Sequence, residues 1–195
     1  MAQVELYWLP LGAGPGAQCV RWNGRAFEAL AARVQHRERC ALYHSALQVQ
    51  AGPDRFSIEM APVWSTAAAD RGAVCEGPVG LPVLGRSRWF RYEVRRWRDG
   101  VIPDLEAAVD SPQVLSADTE RAQRVLDLVP QFPVATWGRD ELGTGDMWNS
   151  NSLISWLLVR SGHELSRIAF PAGGRAPGWS AGVVLATRQE RGLSP

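Results

Sequence analysis

The stretch from Tyr43 to Met60 constrains the fold more than any other part of the chain. It runs Tyr43-His-Ser-Ala-Leu-Gln-Val-Gln50, then a turn Ala51-Gly-Pro-Asp54, then Arg55-Phe-Ser-Ile-Glu-Met60. Two strands closing symmetrically over that turn bring Gln50 opposite Arg55. Val49 then faces Phe56, Leu47 faces Ile58 and Ser45 faces Met60, while His44, Ala46 and Gln48 share the other face with Arg55, Ser57 and Glu59. One face is apolar and the other polar, so a slip by one residue would turn the whole apolar set toward water. The pattern predicts an antiparallel hairpin within a sheet. It also places His44 and Glu59 on one face, on a diagonal of roughly 7 Å between backbones.

Around this hairpin the chain alternates between strand and helix signals. Val4 to Leu9 predicts a strand that ends at Pro10 and the glycine run Gly12 to Gly16, a run without the spacing of a phosphate-binding loop. Cys19 to Trp22 predicts a short strand, and Phe27, Leu30, Ala31 and Val34 recur at helical spacing over 26–38. Trp89 to Trp97 reads as a strand. Arginines 88, 91, 95, 96 and 98 along it suggest a solvated, paired face rather than a grip on an anionic ligand or single-stranded nucleic acid. Ser116 caps a helix through Val129, where Pro130 stops it. A second helix spans Trp148 to Val159, with Leu153, Trp156 and Leu157 on one side and Gly162 as its stop. Pro171 to Trp179 is too rich in Gly and Pro for regular structure, and Ala181 to Ala186 suggests a last edge strand. The expectation is a single globular domain over residues 1–195, of α+β class, with a helix-flanked antiparallel sheet of roughly five or six strands.

Composition removes whole classes of chemistry. All 21 basic residues are arginine. Without lysine there is no Schiff-base chemistry, no P-loop lysine and no kinase ATP lysine. Against 20 acidic residues the net charge is +1, too little for a long-range field that collects phosphates or anionic lipid, so nucleic acid is not an expected partner. The first residues lack a basic, then apolar, leader, and no stretch has the length of a membrane span, which points to a cytoplasmic protein. Cys19, Cys40 and Cys75 are odd in number and widely spaced, as suits reduced thiols. Most of the nine tryptophans are expected in the core or as groove walls.

The second helix opens on Asn149-Ser150-Asn151-Ser152. A helix N-terminus offers unpaired N–H groups and the positive end of the backbone dipole, which stabilise a nucleophile's anion and an oxyanion beside it. Ser150 sits at that point, with Ser152 as the fallback. A serine needs a base and a group that orients the base, and His44 and Glu59 form such a pair. The competing reading is structural, since Asn149 or Ser150 can simply cap the helix. Two other constellations are weaker. His36, Cys40 and His44 are spaced for a zinc site on a helix, but residue 44 belongs to a strand. Asp140, Glu141 and Asp146 around Gly143-Thr-Gly145 match no calcium loop and read as a solvated turn. Cys75, followed by Glu76, reads as an inert thiol. No metal or cofactor is expected.

Tyr43 to Ala46 opening a strand, and Asn149-Ser-Asn-Ser-Leu-Ile-Ser-Trp-Leu-Leu158 heading a helix, resemble the circularly permuted papain-like superfamily. That group includes permuted amidases and peptidases and the lecithin retinol acyltransferase-like proteins. The resemblance covers about residues 41–60 and 144–162. It implies a permuted papain-like core, with His44 as base, Glu59 as polar orienter and Ser150 at the position of the family's nucleophilic Cys. Asn149, Asn151, Ser152, Trp148, Arg175 and Trp179 would line the cleft. Serine in place of cysteine is a departure, because serine needs full general-base help. Two functions therefore stand side by side. One is a Ser/His/Glu hydrolase or acyltransferase acting on an amide or ester. The other is a catalytically silent module holding a peptide or small ligand.

Overall fold

The computed structural model describes residues 1–13, 28–29, 32–34, 36–66 and 70–192. The hairpin is β2 (Ala41–Ala51) and β3 (Asp54–Pro62), paired antiparallel with Gln50 opposite Arg55, Val49 opposite Phe56 and Leu47 opposite Ile58. Side-chain chemistry predicts this register. Gly52, at φ +63°, supplies the left-handed position that the tight turn requires. β1 (Ala2–Pro10) runs antiparallel to β2 along its whole length, with Leu6 opposite Leu47 and Leu9 opposite His44.

The remaining strands are β4 (Ala73–Pro78), β5 (Arg91–Arg98), β6 (Val109–Ser116) and the two-residue β7 (Gly174–Arg175). Their order is β4-β5-β3-β2-β1-β6, with β7 joining the start of β2 in parallel. The sheet is thus mostly antiparallel and open, and with its helices the fold is α+β. The sequence pattern does not announce β4 or β6, the two edge strands, and Pro112 inside β6 is tolerated because an edge has no second ladder to break.

Three helices lie wholly among the described residues, α1 (Thr119–Leu128), α2 (Ser150–Arg160) and α3 (Trp179–Glu190). Val4, Leu6, Trp8, Leu47, Val49, Ile58, Met60, Tyr92 and Val94 form one apolar sheet face, in a single core with Val125 and Leu126 of α1, Leu153 and Leu157 of α2 and Leu185 of α3. A smaller cluster of Tyr7, Leu9, Ala46 and Ile102 covers part of the opposite face.

Four expectations are corrected. Residues 181–186 are helical, within α3, although Val183-Val-Leu invites a strand reading; small residues let α3 lie close on α2, and a Cβ at Gly182 would run into Ser152 O and Ser155 Oγ. The helix expected from Ser116 starts at Thr119, because β6 occupies 109–116 and Asp118 caps the helix by accepting from Arg121 N at 2.8 Å. The arginines of β5 are not one solvated face. Arg91 pairs with Glu76 at 2.8 Å and Arg98 pairs with Asp54, but Arg95 is fully buried between Glu59 (2.7 Å) and Glu93 (2.6 Å). The polar face of the hairpin is likewise largely covered, with Gln48, Ser57 and Glu59 all buried. The strand expected at 19–22 lies outside the described residues, as does much of the helix expected at 26–38, of which residues 28–29 and 32–34 are helical. Among the described residues no helix is long and apolar enough to cross a membrane.

Candidate functional site

The N-terminus of α2 is densely hydrogen-bonded, and its Asn-Ser-Asn-Ser run explains why. Asn149 is the cap: its side-chain oxygen accepts from Asn151 N at 2.9 Å and from Ser152 N at 3.4 Å, and Ser152 Oγ accepts from Asn149 N at 3.1 Å, a reciprocal capping box. The same side chains reach outward. Asn149 Nδ2 donates to Pro177 O (2.8 Å), Ser152 Oγ to Gly178 O (2.8 Å) and Ser155 Oγ to Trp179 O (2.8 Å), which fastens the segment leading into α3. Asn151 Nδ2 donates to Tyr43 O (3.0 Å) and Pro177 O (2.8 Å), while Asn151 Oδ1 accepts from Ser45 Oγ (2.8 Å). Asp146 adds to the clamp by accepting from Gly178 N and Ser180 Oγ. Ser150 alone of the four, though buried, makes no side-chain hydrogen bond among the described residues.

The early strand and the late helix therefore meet, with Asn151 bonded to the residues on both sides of His44. The expected triad does not form. Side chains alternate along β2. Tyr43 and Leu47 belong to the helix-side core and Ser45 bonds to α2, whereas Ala46 and Leu9, the cross-strand partner of His44, belong to the cluster on the other face. His44 is turned that way too, and makes no hydrogen bond to Ser150 or Glu59 among the described residues. Burial alone holds its pKa down to about 4, so the ring is neutral at pH 7. Glu59 shares the face of His44, as the register predicts, but sits opposite Arg95 and accepts from Arg95 Nη1 at 2.7 Å. Its carboxyl is raised by burial, against the opposing pull of Arg95. The carboxylate that would orient the imidazole is committed to the guanidinium.

The expected cleft walls are placed as follows. Trp148 is a core residue stacked on Phe132, with ring centres 4.7 Å apart. Trp179 is buried against Trp8 (5.1 Å) and Phe170 (5.4 Å). Arg175 lies in β7, 3.9 Å from Glu28. Asp140 folds its own loop by accepting from Thr144 N and Gly145 N, and Glu141 binds Thr136. Burial, with Glu76 adding to it, pushes the Cys75 thiol up and keeps it protonated at neutral pH. No group of three or more His, Cys, Asp and Glu among the described residues is arranged to hold a metal ion.

A second site lies where sequence reasoning did not look. Gly162, at φ +76°, ends α2 in a Schellman motif: Gly162 N donates to Val159 O and His163 N to Leu158 O. That motif fixes His163 at the wall of a groove of about 690 Å³ shared with Asp110, Gln113, Arg121, Glu164 and Arg167. His163 is buried, at 7% exposure. Its Nδ1 lies 2.8 Å from Ser161 Oγ, whose own proton goes to Leu157 O at 2.6 Å. Nδ1 therefore carries the ring proton, and Nε2 is left as an acceptor without a partner. Burial, then the charge of Arg121, lowers the pKa of His163. Arg167 is paired with Glu164 at 2.6 Å, whereas the Arg121 guanidinium makes no hydrogen bond among the described residues. Asp110 is held at φ +49°, in the strained left-handed region, beside an irregular β1–β6 ladder. The only sequence signal for this site was a histidine placed directly after a helix-stop glycine. Comparison with protein-family models, with curated proteins and with solved structures found no match.

Proposed function

We propose that this chain is a ligand-binding module which retains a scaffold similar to the permuted papain-like core without running Ser/His/Glu acyl chemistry. One observation carries the reading: a buried histidine, His163, lines a large polar groove with Nε2 unsatisfied. A buried acceptor without a partner costs about 1–3 kcal/mol, a cost that a donor removes on displacing the atoms that cover Nε2. Arg121 lines the same groove, a cation with no ion pair among the described residues. The ligand class that satisfies both is a small anion bearing a hydroxyl or amino group, such as a hydroxy acid, an amino acid or a sugar phosphate. Titration calorimetry with a panel of these three classes is expected to give saturable binding that weakens at least tenfold in His163→Phe and Arg121→Gln. Absence of saturable binding, or equal binding by both variants, overturns the reading.

The acyl-transfer reading keeps one specific support, the unbonded Ser150 hydroxyl at the positive end of α2 next to the strand that carries His44. A fluorophosphonate probe decides it. Labelling at Ser150 in the wild type and not in His44→Ala would replace the binding-module reading with an enzyme; no labelling is the expected result.

A further inference from the structure

Five large apolar side chains that should be buried are instead displayed together. Leu81 (43% exposed), Val83 (61%), Trp89 (73%) and Phe90 (44%) lie in residues 81–90, and Trp64 (45%) in a neighbouring turn. The chain here forms three 3-10 turns, Val63–Ser65, Pro82–Arg86 and Arg88–Phe90, and the third touches the other two, so the segments that carry these side chains adjoin. The segment is preformed. Leu84 N bonds Leu81 O, Ser87 N bonds Leu84 O, Phe90 N bonds Ser87 O, and Arg139 Nε fixes the base by donating to Gly80 O at 2.7 Å. Gly85 lies close on Pro78, where a Cβ would meet the proline ring. A loop tied down this firmly while showing a tryptophan to water is built to present it.

The charge carried by the segment itself is one-sided. Between Gly77 and Tyr92 there is no acidic residue. Arg86 and Arg88 are exposed and make no ion pair among the described residues, while Arg91 is taken up by Glu76. We propose that this patch docks the protein on an anionic phospholipid surface, with Trp89, Phe90, Leu81 and Val83 entering the interfacial layer and Arg86 and Arg88 meeting the headgroup phosphates. Aromatic rings with a polar edge and arginines with long apolar stems suit that layer, and basic residues beside them add attraction to anionic lipid. Single-stranded nucleic acid also takes aromatic and arginine side chains, but it is gripped in grooves by stacking surfaces. This patch stands on protruding turns, and Leu81, Pro82 and Val83 offer no stacking surface. The net charge of +1 means that the attraction is local and short-ranged, acting once the loop is at the surface.

Co-sedimentation of the full chain with phosphatidylcholine vesicles, with and without phosphatidylserine, tests the proposal. The expected result is binding that requires phosphatidylserine, a blue shift of tryptophan emission on binding, and a loss of roughly tenfold or more in vesicle affinity in Arg86→Gln/Arg88→Gln. Trp89→Ala/Phe90→Ala is expected to abolish sedimentation. All four positions are exposed, so an unchanged urea midpoint certifies that the variants fold. No binding to either vesicle, or binding that ignores both double variants, overturns the proposal. So does a single-stranded oligonucleotide or a second copy of the chain that depends on Trp89 and Phe90 while vesicles do not.

Discussion

Asn151 and Ser45 stand 106 positions apart in the chain and 2.8 Å apart in the fold. With the bond from Asn151 to Tyr43 O, they join the N-terminus of α2 to the middle of the sheet. This contact orders the molecule around two distant segments, and its energetics separate a structural motif from a reactive one. Asn151→Ala leaves a buried carbonyl and a buried hydroxyl without partners, a loss of about 2–4 kcal/mol. Ser150→Ala removes a hydroxyl that bonds nothing described, so about 0.5 kcal/mol or less is expected from an ordinary substitution of this kind. Urea unfolding of the two variants side by side measures the contrast. Equal losses would mean that the four-residue run does not act as a clamp.

Acid should destabilise the fold through two imidazoles that it holds neutral, His44 and His163. The pKa of His44 falls from the ordinary 6.5 to about 4. Between those values the unfolded chain takes up a proton that the folded chain refuses, so stability falls as pH drops from about 6.5 to about 4 and levels off below. His163 is shifted in the same direction and acts with the same sign. Partial exposure of residue 44 keeps its share to about 2 kcal/mol. Unfolding free energies of wild type and His44→Gln, taken across this range, should differ by a curve that rises with pH. A flat difference would show that the ring is solvated.

Arg95 joins two acids on the outer face of the sheet, Glu59 and Glu93, the second of which also pairs with Arg71, and removing it should be severe. Arg95→Met leaves the buried Glu59 without its cation and Glu93 with Arg71 alone, a loss of about 3–5 kcal/mol at neutral pH. The sign of its pH dependence is opposite to that of the histidines. Glu59 already has a raised carboxyl, and without Arg95 it rises further, so the folded variant binds a proton more readily than its unfolded chain. The variant's deficit should therefore shrink as pH falls through the raised carboxyl range. Adding Glu59→Gln should recover part of the loss at pH 7. Thermal or urea unfolding of the single and double variants tests both statements.

What the sequence could reveal depended on how locally each fact is encoded. The β2–β3 register was legible because alternation and the Gly-Pro turn sit within the same eighteen-odd positions. Glu59 shares a face with His44, as that register requires, yet its partner is Arg95, which β5 delivers from outside the hairpin. Local pattern could show that Arg95 lies on a strand, but not that acids on either side would enclose it. The α2 start was legible from its capping residues, whereas the targets of Asn151 and Ser152 lie on β2 and beyond Pro177. The groove at His163 combines residues from β6, α1 and the segment after α2, and no short window contains them. Misreading α3 as a strand has a different cause. Val183, Val184 and Leu185 favour a strand by propensity, and tertiary packing on α2 overrides them.

Gly182 is where that packing can be tested. Alanine is the better helix former, and on an exposed helix face Gly→Ala gains about 1 kcal/mol. At Gly182 the added Cβ would run into Ser152 O, a backbone atom, and Ser155 Oγ, whose hydroxyl is already spent on Trp179 O at 2.8 Å. Neither can yield without moving α3 away from the capping box of α2. Gly182→Ala should therefore destabilise by about 1–3 kcal/mol, the range for overpacking a tight interior. Denaturant unfolding checks this against Ser180→Ala on the exposed side of the same helix, which loses only the surface bond to Asp146 and should cost about 1 kcal/mol or less. A neutral or stabilising Gly182→Ala would mean that α2 and α3 are not in close backbone contact, and the clamp built on Asn149, Asn151 and Ser152 would have no second helix to hold.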